Sequence, residues 1–284
     1  MDGAPLKDGF EVTKRTVRTC DGQQFAKQIA TKKERIRKSE MFQELKASLE
    51  PWRAKIDKIR CLALGSFHDE FAAGYQFALL DEIREFLENS QQEQGTIKVK
   101  VSIFDPAFTS EDEKYISELG PEWSIDGETP WEVGSEQKND DTGNILFFLP
   151  HAPLDLTEAV IISDQPRFWL ANNIVQHTDR YTKQRLFEKY PVLSKLLNYV
   201  SSAKDEQVNN DNFTAKDGEF VQFVSRRNRR KAKQKRFQEP QIDYDAIPAY
   251  FKDFKIVCDF MNGKQLQGRE WLNSFSDLAF QLIE

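Results

Sequence analysis

The stretch IRCLALGSFHDEFAAGYQFALLDEI, residues Ile59 to Ile83, decides the fold. Ile59 to Leu64 is a short, mainly apolar run, the pattern of a strand buried on both faces. Gly65-Ser66 breaks it. From Asp69 or Glu70 onward the apolar residues recur at helical spacing, with Phe71, Tyr75, Phe77, Ala78, Leu80 and Ile83 on the inward positions. A strand, a turn and a helix N-terminus in that order bring free N–H groups and the positive end of a helix dipole to one place, which suits an anion. Two readings stay open. The turn is a ligand cradle, or it is a helix cap. It has one Gly, without G-x-G-x-x-G or G-K-[ST], and Asp69 and Glu70 put negative charge where a phosphate would sit.

Working outward, the pattern alternates. IKVKVSIFD (97–105) reads as a second strand. SEDEKYISELG (110–120) reads as a short helix, with Ser110 as N-cap and Gly120 as its stop. PEWSID (121–126) is a candidate third strand. ILFFLP (145–150) is a fourth, buried on both faces, and DLTEAVIIS (155–163) is a helix. RFWLANNIV (167–175) reads as a fifth strand, and TKQRLFEKYPVLSKLLNYV (182–200) as helix with a break near Pro191. NSFSDLAFQLIE (273–284) supplies a last strand after order returns near IPAYFKDFKIVCDFMNG (247–263). Strands alternating with helices imply an α/β fold: a Rossmann-like, doubly wound, mainly parallel sheet.

Additions surround this domain. Residues 1–22 read as irregular. Gln23 to Lys58 read as two helices interrupted by Pro51, and the charged stretch TKKERIRKSE (31–40) as a solvated helix face or a partner-binding helix. SQQEQG (90–95) and ETPWEVGSEQKNDDTGN (128–144) read as polar loops. The expected division is N-terminal helices (1–58), α/β domain (59–200), a polar and partly disordered insertion (201–246) with one candidate strand, EFVQFV, and a C-terminal part completing the domain (247–284).

Composition narrows the function classes. The 284 residues are 39% hydrophobic with 22 Phe, enough for a sizeable core, and no run approaches the length of a membrane span. No secretory leader is visible at the N-terminus. Cys20, Cys61 and Cys258 are few and scattered, which points to a reduced, intracellular protein. With three His and no C-x-x-C, a zinc site is not expected. The net charge of −6 hides an uneven distribution. Arg226, Arg227, Arg229, Arg230, Lys231, Lys233, Lys235 and Arg236 form a run with no acid. That run reads as a solvated loop, a nuclear-import signal or a nucleic-acid contact. No aromatic interleaves it, so single-strand stacking is not expected.

Ligands of open α/β sheets bind at the carboxyl ends of the strands. Asp105, closing the second strand, suits a ribose or an Asp-Pro turn, although it lies 40 residues past Gly65 rather than the usual ~20. His151, just past the fourth strand, suits proton transfer or a fixed loop. Asn172 and Asn173 close the fifth and suit ligand bonding or helix capping. No catalytic triad is evident; Asp105 and His151 are the nearest to catalytic candidates.

Taken in order, CLALGSF with YQFALL, FDPAF, SELG, ILFFLPHAP with LTEAV, WLANN, FEKYPVLSKLL and NSFSDLAFQ resemble the SRR-like family, named for sensitivity to red light reduced. The resemblance covers roughly 59–200 and 270–284. The candidate ligand residues are Gly65, Ser66, Phe67, Gln76, Asp105, His151 and Asn172. The resemblance implies a regulator linked to circadian and light responses, haem biosynthesis and cell proliferation, cytoplasmic and sometimes nuclear, with protein partners and no assigned reaction or cofactor. Three positions depart from the pattern: Ala63 replaces the first Gly of the turn, Ala152 a Cys after Pro-His, and Ala171 a Gly before the Asn. The insertion before the last strand has no counterpart in it. The competing readings are a Rossmann-type enzyme binding S-adenosylmethionine or a dinucleotide, and a nucleic-acid-associated protein acting through Arg226–Arg236.

Overall fold

A computed structural model describes residues 22–88, 98–126, 144–210 and 242–284, the stretch 201–210 by its helical path alone. The elements run α1 (Gly22–Arg37), α2 (Glu40–Leu49), a 3-10 turn (Glu50–Trp52), β1 (Lys58–Leu62), α3 (Phe71–Glu88), β2 (Lys100–Phe104), α4 (Ser110–Glu118), β3 (Trp123–Ile125) and β4 (Ile145–Leu149). They continue with α5 (Leu154–Asp164), β5 (Phe168–Asn172), α6 (Ile174–Thr178), α7 (Lys183–Lys189), α8 (Pro191–Asn210), β6 (Phe254–Cys258) and β7 (Leu278–Ile283). The fold is α/β. One seven-stranded sheet has the order β3-β2-β1-β4-β5-β7-β6, with β1 to β5 parallel and β7 antiparallel to both its neighbours.

Helices cover both faces. Alternate residues of each strand divide between two cores. Ile59, Cys61, Val101, Ile103, Leu146 and Phe148 pack with α1, α2 and α3. Leu62, Ile145, Phe147, Leu149 and Trp169 pack with α5, α7 and α8. All five residues of β4 and all six of β7 are buried, as interior strands of a two-face sandwich must be. Strand β6, at the edge, buries only its end residues Phe254 and Cys258 and carries an irregularity between Ile256 and Cys258.

Several boundaries differ from expectation. The two N-terminal helices divide at Ser39, whose hydroxyl caps α2 by accepting from the Phe42 N–H, whereas Pro51 sits in the 3-10 turn that follows. Thr109, not Ser110, caps α4, because its side chain and Asp112 form a reciprocal capping box. Helix α3 starts at Phe71, after a turn, and Phe71 is half exposed rather than inward. Helix α8 runs past residue 201 to Asn210. Residues 1–21, the loop 90–95, residues 128–143, EFVQFV and the basic run Arg226–Arg236 lie outside the described residues.

Most of the charged stretch 31–40 faces solvent, Thr31, Glu34, Arg35, Arg37, Lys38 and Glu40 being exposed, while Lys32 and Lys33 are partly buried and Lys33 and Arg37 pair with acids of α3. Phe25, Ile29 and Ile36 bury the apolar side of α1, each contributing about 1.5–3 kcal/mol of transfer free energy before ordering costs.

Candidate functional site

Strands β2, β1 and β4 are neighbours and parallel, so Asp105, the Gly65 turn and His151 follow three adjacent carboxyl ends. The first two meet. The Gly65 N–H donates to Asp105 Oδ2 at 2.8 Å, and the Ala107 N–H donates to Asp105 Oδ1 at 2.8 Å. Asp105 therefore clasps the β1 turn to its own Asp-Pro loop. The turn is left-handed twice, at Ala63 (φ 54°) and Gly65 (φ 79°). A Cβ at Gly65 would lie 3.1 Å from Glu70 Oε2.

Three more amides of the turn are engaged. The His68 N–H donates to Asp112 Oδ1 at 2.9 Å, the Asp69 N–H to Ser66 Oγ at 3.3 Å, and the Glu70 N–H to the Ser66 carbonyl at 2.9 Å. Asp112 is fully buried and also accepts from the Thr109 N–H and hydroxyl. Two carboxylates of the protein, Asp105 and Asp112, thus hold the Gly65 and His68 N–H groups, two of those that an anion at this turn would use. Asp112 was not among the expected site residues. The T-x-x-D spacing of Thr109 to Asp112 was the signal for its capping role.

Phe67 turns inward. Its ring stacks on Phe77 with centroids 4.3 Å apart and meets Phe25, Phe108 and Tyr115 edge-on or tilted. Ser66 is buried and braces the turn. Gln76 is buried in α3, and its Nε2 donates to the Ser274 carbonyl at 2.7 Å, tying α3 to the segment before β7. His151 is exposed at the end of β4.

A second polar corner lies at the start of the antiparallel strand. Asn172 Nδ2 donates to Asp277 Oδ1 at 2.6 Å, and the Asn173 N–H donates to the Asp277 carbonyl at 2.6 Å. Asn173 caps α6, accepting from Val175 and Gln176. Gln281, inside β7, donates to the Asn172 carbonyl and accepts from the Ile174 N–H. His177 is electrostatically coupled to Asp277, Arg180 and His151. Burial depresses its pKa below the usual imidazole value, Asp277 pulls it back up, and Arg180 and His151 add to the depression. Neither Asp277 nor His177 carried a sequence signal, because a 100-residue separation hides the pair.

Elsewhere the titratable groups read as structural. Burial pushes the Cys61 thiol up, and that of Cys258 to about 11, so neither is a ready nucleophile. Among the described residues no group of His, Cys, Asp and Glu is arranged to hold a metal ion, and no helix is long and apolar enough to cross a membrane.

The SRR1 domain model matches residues 42–282. That span takes in both polar corners, β1 to β6 and all of β7 but Ile283. The chain belongs to the SRR1 domain family. No curated protein and no solved structure matches it. Within the SRR1 domain, the pieces CLALGSF and FDPAF meet through Gly65 and Asp105, and WLANN meets NSFSDLAFQ through Asn172 and Asp277. The matched span begins inside α2, so α1 lies outside it.

Proposed function

We propose that this SRR1-domain protein is a regulator that acts by binding, with the carboxyl edge of its sheet accepting a small nucleoside-like ligand. The observation that carries the reading is the Asp105 clasp. Its carboxylate, with that of Asp112, stands where a phosphate's charge would lie, and like charges at that distance repel strongly in a half-buried site. A ribose instead donates hydroxyl protons, and each carboxylate oxygen of Asp105 retains acceptor capacity beyond its one amide. The regulatory setting (light and circadian responses, haem biosynthesis, cell proliferation, in cytoplasm and nucleus) follows from the family resemblance alone.

The test is native mass spectrometry of the fresh protein, then thermal-shift titration with S-adenosylmethionine, adenosine, NAD, ATP and haem. A ligand that binds only the folded state raises the melting temperature with its concentration. Phosphate-free nucleosides are expected to shift it, and Asp105→Ala to abolish the shift. A larger shift with ATP, or no shift with any of them, defeats the reading.

A second reading, a Rossmann-type enzyme resembling S-adenosylmethionine-dependent methyltransferases, is favoured by one observation. The order β3-β2-β1-β4-β5, extended by an antiparallel β7 set before β6, is a sheet such enzymes use. Release of S-adenosylhomocysteine on incubation with cell extract, lost in His151→Ala, distinguishes it from binding alone. For the run Arg226–Arg236 we infer an import-receptor contact, with nucleic acid as the other partner class. Its deletion then shifts the protein to the cytoplasm without changing RNA retention; unchanged localisation removes the inference.

A further inference from the structure

Helix α1 carries five basic residues and one acid in 16. Phe25, Ile29, Lys33 and Arg37 recur every fourth residue, so one stripe passes from apolar to cationic along the helix. The surface beneath it changes in the same sense. At one end Phe25 stacks on His68, centroids 3.5 Å apart, and meets Tyr115 edge-on at 5.1 Å. In the middle Lys32 lies over the rings of Phe71 and Tyr75 at 5.7 and 5.4 Å, and Arg35 donates to the Tyr75 hydroxyl at 2.8 Å. At the far end Lys33 bonds Asp81 and, at 2.6 Å, Glu85. Arg37 forks onto Glu82 at 2.7 and 2.8 Å and reaches Glu85 at 2.9 Å.

Without α1, helix α3 would present an aromatic floor leading into Asp81, Glu82 and Glu85. Asp81 and Glu82 are only 7% and 2% exposed with α1 in place. Asp81 also pairs with Arg84 of its own helix at 3.1 Å, whereas Glu82 takes its salt bridges from Lys33 and Arg37 of α1; a buried carboxylate requires a cationic partner, so Glu82 specifies the charge of whatever covers this end of the groove. Two further observations mark α1 as a separable cover. It lies outside the matched SRR1 domain. Its C-terminal end also borders an open surface cleft of about 350 Å³ lined by Arg37, Phe42, Lys46, Glu82, Glu85 and Phe86, beside the acidic end of the groove.

We propose that the α3 groove is a docking surface for a basic amphipathic helix of a protein partner, and that α1 is its built-in competitor. The partner helix presents an aromatic residue, an aliphatic residue four positions on, and Lys and Arg a further four and eight positions on. It binds only when α1 has swung away, so the free protein is self-inhibited at this surface.

The test uses the full chain. Lys33→Glu with Arg37→Glu repels α1 from the groove without altering the groove itself. A fluorescent peptide of residues 22–38, standing in for the partner helix, is titrated against both proteins. Anisotropy is expected to show the variant binding the peptide at least about tenfold more tightly than wild type. That binding is expected to weaken as salt rises from about 50 to about 300 mM, since the Debye length shortens across that range. Equal affinity for the two proteins, or binding to neither, overturns the proposal. Hydrogen exchange of the wild type provides a measure independent of the variant's folding. Amides of α1 are expected to exchange through an opening that leaves β1 and α3 protected; α1 amides as slow as those of β1 also overturn it. Light scattering settles the remaining occupant. A wild-type dimer that the double variant lacks assigns the groove to α1 of a second copy and not to a partner.

Discussion

Ala63 holds a backbone angle that a Cβ disfavours, at the position where the resembling family carries Gly. A left-handed L-residue costs about 1–2 kcal/mol, while glycine costs about 0.5–1 kcal/mol in unfolded-chain entropy. Ala63→Gly is therefore expected to stabilise the protein by about 0.5–1 kcal/mol, read from the midpoint of urea unfolding. A loss would show that the methyl's packing outweighs the strain. His177 gives a pH signature. Its folded-state pKa lies below the unfolded imidazole value of about 6.5, so the unfolded chain takes up the proton first as pH falls. Stability from this group is complete above that value, declines as pH drops through it, and levels off below the folded pKa. In urea titrations from pH 7.5 to 5.5, His177→Gln is expected to lose stability less steeply than wild type; parallel curves count against the assignment. At this scale the sequence was legible where residues are close. The turn at Gly65 and the missing Gly at Ala63 were visible in one short stretch. That Asp105 would close on that turn was not, because the partners are 40 residues apart and an acid after β2 fits both a ribose and a backbone clasp.

Most helix ends were read to within a few residues, and two of the errors share one cause. Ser39 and Thr109 cap their helices through side-chain hydrogen bonds, a local competition that apolar periodicity does not register. Helix α1 was recognised as a helix, but its partner was not, since charge in a helix reads as solvation until its counter-charges are located on α3. Glu158 is a similar case. It sits in α5 and accepts the Val192 and Leu193 N–H groups at 2.9 Å each, capping α8 from a different element. Burial raises its pKa while these two bonds oppose the rise. Glu158→Ala leaves two helix-end donors without an acceptor and is expected to cost about 1–2 kcal/mol. The loss should concentrate in faster hydrogen exchange at Val192 and Leu193, with Glu158→Gln intermediate. Uniform acceleration across the molecule would place the effect in global unfolding instead.

On the scale of the whole molecule, alternation of strands and helices sufficed for a mainly parallel α/β sheet through β5. The closing strands were harder. The segment 211–241 separates α8 from β6, and no periodicity tells whether a strand after such a gap runs with or against its neighbours. β6 also reads poorly, since FKIVC buries only its ends. The result is a sheet whose C-terminal strand lies inside it, between β5 and β6. Truncation after Asp277 removes six buried residues and unpairs two strands at once. It is expected to abolish the cooperative thermal transition, whereas truncation after Ile283 should leave it nearly intact. A truncated chain that still melts cooperatively would mean that β1 to β5 fold without closure. That placement also has a consequence in time. Strand β7 is made after β6, so during synthesis the β5 edge stays open until Leu278 to Ile283 have followed, and β6 has no neighbour in the sheet before then.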